Sequence, residues 1–508
     1  MSSGTATEDT AGNAHRWLVL FVVVLATTLY ATTILVVSVI LPQMQGTLSA
    51  TQDQIAWVVT FNILATAVVT PMSGWLVAKF GRRQTMLWCM ACFTISTLLC
   101  GQAESLGPLV LYRIAQGAFG APLVPLGQAV IMDSFPRQMQ QKAMAIFGMS
   151  VVVGPIIGPT LGGYLAEAYN WRWAFYMLLP AGSLAFLGLF LVLREGGRQT
   201  GVRLDWIGFL ALSAAVVSLQ LMLDRGQRQD WFNSPEIIIE ACLAVAAFYV
   251  FVVHSVTSEA PFLNLKLLAD RNYSLGLVLV TIYGMLNFTP MFLLPPMLQN
   301  LMGYPDSVIG TLIACRGAGA TTGFFLALLF GRFDPRVGIS VGFVAQALSG
   351  WYMAGFDLNV TEFDVGITSF VQGVSVGMVW VPMTMATFAN IEGRHLAECS
   401  AVYHLLRNLG SSIFISLSIT VVIRTAVANY AGMTEHISPF NESLVYHSVT
   451  GAWRTDSTAG LAAISGEIHR QALMIGYINA FGLYTLASLA VLTLVVLVRP
   501  PRRAQANG

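Results

Sequence analysis

The sequence predicts an all-α integral membrane protein of 14 transmembrane helices, and three observations carry that prediction. The 508-residue chain is 56% hydrophobic and 10% charged, with a mean hydropathy of +0.68. Apolar runs long enough to cross a bilayer recur along its whole length. The basic residues between those runs fall mostly on alternate connections.

Soluble domains carry roughly 25% charged residues. A chain this apolar would expose sticky surface to water, whereas in lipid the outside of the molecule is free to be as apolar as its core. The formal net charge is +1, which gives bulk charge no role in attracting nucleic acid.

A spanning helix needs about 20 apolar residues. Runs of that kind lie near 17–41, 53–78, 84–103, 105–131, 141–167, 172–193, 204–223, 234–256, 273–300, 306–329, 337–355, 362–388, 398–425 and 472–498. The first is much longer than the apolar stretch of a cleavable leader, so it is expected to remain as span one. An even number of spans puts both termini on one face. The connections on that face, with the two tails, carry seventeen Lys and Arg (Arg16, Lys79, Arg82 and Arg83 among them), against six on the other. The positive-inside rule makes the richer side cytoplasmic.

The expected organisation is a tail at 1–16, a six-helix bundle at 17–193, two inserted helices at 204–256, a linker at 257–272 and a second six-helix bundle at 273–498. The second bundle carries a long extracytoplasmic loop at 426–471, and a tail follows at 499–508. Glu259 to Arg271 is too short to span and places Phe262, Leu265 and Leu268 around Lys266, as an interfacial amphipathic helix would. The turns at 74–83 and 329–336 echo one another, as expected of duplicated halves.

Cys89 and Cys92 form a C-x-x-C, but no second pair or nearby histidine completes a metal site, and small apolar residues on a helix face explain the pattern. No HExxH, GxSxG or pair of intramembrane carboxylates points to an enzyme. No GxxxxGK[ST] points to ATP.

Three segments carry more information. Gly74 to Arg83 packs Gly74, Gly81, Arg82 and Arg83 into a short basic turn. Arg113, four residues before Gly117, lies about eight residues inside span four, where a cation needs a cavity or a partner. In span five, Gly154-Pro155, Gly158-Pro159 and Gly162-Gly163 put glycines four residues apart, on one smooth face. A neighbour approaches such a face closely, while the prolines favour a bend. That helix is expected to seal or hinge the two halves.

These segments resemble the cytoplasmic-loop signature, the span-four arginine motif and the span-five antiporter motif of the major facilitator superfamily. With fourteen spans the chain resembles its EmrB/QacA drug:proton antiporter branch. The segments 38–64, 259–272 and 437–441 agree, the last favouring the EmrB type. The resemblance implies a major facilitator fold in a bacterial inner membrane and an exporter of lipophilic small molecules driven by the proton gradient, with no bound cofactor. It also implies a periplasmic adaptor of the membrane-fusion type and an outer-membrane channel as partners.

Two positions depart from the family. Its usual span-one Asp is Thr33 here, and the loop-signature Asp is Ala78. The proton carrier therefore cannot be copied over from the family, and a dedicated fatty-acid or lipid exporter, or a transporter not coupled to protons, stays open as the alternative. Arg113, Arg316 and Arg407 have no evident carboxylate at their depth, and His404 shares a helix face with Arg407. His404 is a candidate to titrate or bind substrate, against the plainer reading of a packing histidine, with Asp133 and Glu398 at span ends as alternatives that also read as interfacial charges. Three such cations around a cavity favour an amphipathic anion, and Tyr30, Thr32, Thr33, Asn62 and Gln128 are further lining candidates by depth.

Overall fold

The computed structural model describes residues 4–195, 203–259, 261–330, 334–438, 441, 453 and 455–498. Among these, thirteen helices are long and apolar enough to cross a membrane. Helix Pro335–Met353 packs between two of them and supplies the remaining span. Numbered in order, span one lies within Gly4–Thr47. Spans two to six are Gln54–Phe80, Arg82–Gln102, Leu106–Ser134, Arg137–Ala168 and Trp173–Val192. Spans seven and eight are Trp206–Arg225 and Pro235–Thr257. Spans nine to fourteen are Arg271–Met302, Asp306–Phe330, Pro335–Met353, Glu362–Phe388, Leu396–Thr434 and Thr458–Val495.

Local chemistry sets the ends. Thr51 with Gln54, and Thr361 with Asp364, form capping boxes that satisfy the first free amides of their helices. Asp205 and Asp270 cap spans seven and nine. Gly81, at φ +83°, turns the chain between spans two and three, and Gly303, at φ +69°, ends span nine. Both angles suit glycine because a Cβ is disfavoured there.

The packing is duplicated. Span one lies against five and two against four. In the second bundle, nine lies against thirteen and ten against twelve. Glycines bring the second set together: Gly319 and Gly323 on span ten meet the backbone of Phe370 and Val374, while Gly284 on span nine and Gly410 on span thirteen do the same for their pair. Spans seven and eight pack on each other, and span seven touches both bundles. Its distal end accepts a bond from Thr60 of span two at Asp224 (2.9 Å) and one from Ser416 of span thirteen at the Leu223 carbonyl (2.8 Å).

Three sequence expectations change. The 257–272 linker contains only a 3-10 turn, Leu265–Ala269, because Asn264 caps it and Asp270 restarts the chain as span nine. Helix one begins at Gly4, inside the expected tail. Spans thirteen and fourteen run 39 and 38 residues. At 1.5 Å per residue that is nearly 60 Å, about twice the hydrocarbon thickness, so both reach into the expected 426–471 loop. Most of 439–454 and all of 499–508 lie outside the described residues, as do 331–333 of the echo turn.

Candidate functional site at the interface between the bundles

The two bundles meet along spans two, four and five on one side and ten, twelve and thirteen on the other. Fourteen spans put both chain ends on one face, the terminal face. The contacts between the bundles run from that face to mid-depth. Gly74 lies against the Glu398 backbone, and Gln141 Nε2 donates to the Ala327 carbonyl at 3.0 Å. Gly148 lies against Phe324 and Trp380, and Ile156 against Gly317. His404 Nε2 and Gln128 Oε1 approach to 2.5 Å, with both residues buried.

At mid-depth spans five, nine, ten, twelve and thirteen enclose a cavity of about 30 Å³ lined by Pro155, Tyr283, Asn287, Arg316, Trp380 and Arg407 among others. That is room for a water or two. The interface is therefore closed on the terminal face and nearly closed at its centre.

The two guanidiniums are held differently. Arg316 Nε donates to Gln372 Oε1 at 2.7 Å, and its Nη2 donates to the carbonyl and the side-chain oxygen of Asn287 at 2.7 and 2.6 Å. Arg407 reaches the Asn408 side chain at 3.2 Å, and its guanidinium lies over the Trp380 ring, 5.5 Å from the centroid. Among the described residues no carboxylate pairs with either. Neutral acceptors and a ring hold the geometry and leave the positive charge uncompensated.

Arg113 does not join them. It is buried inside the first bundle, its Nε donating to the Val58 carbonyl at 3.1 Å and its Nη1 to Gln116. Gln116 passes the chain of bonds to Thr97 (2.7 Å), and Asn62 donates to the Arg113 carbonyl (2.8 Å). Gly117 is the residue that lets Asn62 come this close. The arginine thus fastens spans two, three and four together, and the expectation that it lines the cavity is corrected. Sequence depth gave its burial but not the side it faces. Tyr30, bonded to Thr66 at 3.2 Å, lies within electrostatic range of both Arg113 and Arg407.

The span-five glycines are also reassigned. A Cβ on Gly154 or Gly158 would lie 2.7 or 2.6 Å from the carbonyls of Thr28 or Thr32, and one on Gly162 would strike Val36. Their face is the seam with span one, inside one bundle. Gly163 has only Val39 nearby. The neighbouring face, with Gly148, Pro155 and Ile156, meets the other bundle. Pro159 is helical, and its side chain lies outside the described set.

The basic turn holds the terminal face together. Arg82 pairs with Asp133 at 2.5 Å, joining spans three and four. Arg83 donates to the Phe190 carbonyl at 2.8 Å, joining three and six. Glu398 accepts from the Asn264 amide at 2.7 Å, tying the linker to span thirteen. Thr33 is buried, with its hydroxyl donating to the Tyr30 carbonyl at 2.7 Å. Asn287, Gln372 and Trp380 were missed, because uncharged residues in apolar runs give no depth signal.

The sequence profile of the Major Facilitator Superfamily matches residues 20–415. Multidrug export protein EmrB of Haemophilus influenzae is 31% identical over 92% of this chain and 92% of its own length. Fatty acid resistance protein FarB of Neisseria gonorrhoeae is 30% identical over 93% of this chain and 94% of its own. Among solved structures, the proton:xylose symporter XylE superposes with a TM-score of 0.60 at 12% identity, covering 95% of this chain and 96% of that one.

Proposed function

The chain belongs to the Major Facilitator Superfamily, and on that premise we propose that it exports amphipathic small molecules, preferring anions, by alternating access. The observation that carries the reading is the convergence of Arg316 and Arg407 on a cavity between the two bundles, with no carboxylate beside them. A low-dielectric cleft with uncompensated positive charge favours a ligand that brings the negative charge. The apolar remainder of the lining (Phe288, Met291, Phe324) suits a hydrocarbon body. The names of the relatives agree, one being a multidrug exporter and another a fatty-acid resistance protein.

In this reading the terminal face is cytoplasmic, which the basic connections favour. Closing that face while the other opens releases the ligand outside. The drive we assign is the proton gradient. Span one offers Thr33 where the family usually has a carboxylate, Asp133 is paired with Arg82, and Glu398 is engaged by the linker. His404, at the contact between the bundles, is the group best placed to link protonation to opening. A periplasmic adaptor and an outer-membrane channel would complete the route through a double envelope.

The test is uptake into inverted membrane vesicles of a panel of amphipathic carboxylates, neutral lipophiles and quaternary ammonium compounds, with and without an uncoupler. Uncoupler-sensitive accumulation led by the carboxylates supports the proposal. Strict preference for permanent cations refutes it.

A further inference from the structure

A second cavity lies away from the interface between the bundles. It has a volume of about 460 Å³ and is walled by span seven (Leu212, Val216), span eight (Phe248), the linker (Leu265) and span thirteen (Leu405, Leu409). That size falls within the roughly 300–1,000 Å³ of small-molecule sites. The lining is almost wholly hydrocarbon, and it stands at the depth of membrane-spanning helices. The solvent of such a surface is lipid chains, so a hydrocarbon is the ligand at hand.

Two features identify the kind. Span thirteen forms the wall between this cavity and the central one: Leu405 and Leu409 face the first, while His404 and Arg407 face the bundle interface. Ala67 of span two, Leu212 and Leu405 pack together and close the seam towards the centre. The pocket is therefore separated from the transport cleft in this state. At its terminal-face end, exposed Lys266 stands between the lining residues Leu265 and Leu267. The one carboxylate among the described lining residues, Glu398, already accepts from the Asn264 amide, with His395 Nδ1 3.7 Å away. An exposed cation on the linker segment that walls one end of a hydrocarbon slot matches an anionic headgroup beside an acyl chain.

We propose that this pocket holds an acyl chain of a bilayer phospholipid, with the phosphate at Lys266, and that the bound lipid braces the inserted pair of helices against span thirteen. The proposal is independent of the substrate exported. It also accounts for spans seven and eight, which build a lipid-holding wall along the helix that carries His404 and Arg407.

Phosphatidylglycerol with a diazirine near the end of one acyl chain tests it, using the full chain in bilayer nanodiscs. After illumination, the label should be enriched in peptides covering 212–219 and 402–409, and unlabelled phosphatidylglycerol should compete. Leu268→Trp and Val245→Trp, at the exposed rim, should suppress labelling without disturbing the fold. Lys266→Gln should weaken it by about fivefold. Labelling spread evenly over the lipid-facing helices, or unchanged in both rim variants, would overturn the proposal. So would displacement by an exported amphiphile at lower concentration than by phosphatidylglycerol, which would place the pocket on the transport route.

Discussion

His404 on span thirteen and Gln128 on span four form a side-chain hydrogen bond between the two six-helix bundles, at 2.5 Å and fully buried. Each has one further buried polar atom, His404 Nδ1 and Gln128 Nε2, without a partner among the described residues. A pair that is only half satisfied is easily unmade, which suits a contact that has to open in every cycle.

Breaking that bond should shift the protein towards the state open on the terminal face. His404→Ala and Gln128→Ala each remove it, and at about 1 kcal/mol net per hydrogen bond the population ratio should move about fivefold. Spin labels at Lys142 and Leu329, on the two sides of that face, report the change as a longer distance component. The double variant should add little to either single one. Unchanged distances would remove the latch.

Gly158 is a site where bulk, not chemistry, decides. A leucine there drives its Cβ into the Thr32 carbonyl and forces spans one and five apart. Overpacking of this kind destabilises by about 1–3 kcal/mol. Gly158→Leu should insert into the membrane, melt several degrees lower and lose efflux. Gly482→Ala in span fourteen, with open space around it, is the control and should behave as the parent.

Arg113 should matter for stability and not for selectivity. Arg113→Met removes the bond across to the Val58 carbonyl and leaves the buried Gln116 Oε1 without a donor, at about 1–3 kcal/mol for a buried group left unpaired. The melting temperature should fall, and any remaining transport should keep the parent's order of substrates. A changed charge preference would return this arginine to the cavity.

Asp205 gives a pH dependence of known sign. Burial raises its carboxyl pKa, but bonds from the Gly208 amide, His254 and the Phe262 amide more than offset this and hold it below the usual range. A depressed carboxyl contributes full stability above its unfolded value of about 3.9 and loses it as pH falls through the folded value. Melting curves of the purified protein between pH 6 and pH 3 should therefore show a loss below about pH 4 that Asp205→Asn reduces. An equal loss in that variant would assign the effect to other carboxylates.

Hydropathy and basic turns made the spans, their duplication and the inserted pair legible, because lipid imposes length and composition on every crossing helix. Depth along a helix singled out Arg316, His404 and Arg407, and the structure places all three at the interface between the bundles. The side each residue faces was not legible. Arg113 and the Gly154–Gly158–Gly162 stripe turn into the first bundle, a choice made by partners such as Val58 and Thr32 on other helices. The linker was misread as a helix because hydrophobic spacing carries no sign of the caps at Asn264 and Asp270 that limit it to one short turn.

The most direct test of the central claim is the charge selectivity of transport in inverted vesicles, measured for the parent, Arg316→Gln and Arg407→Gln with one amphipathic carboxylate and its amide. The parent should favour the carboxylate, and Arg407→Gln, which removes the less tethered guanidinium, should abolish that preference while still carrying the amide. A parent indifferent to the charge, or a preference that survives in Arg407→Gln, would contradict the account.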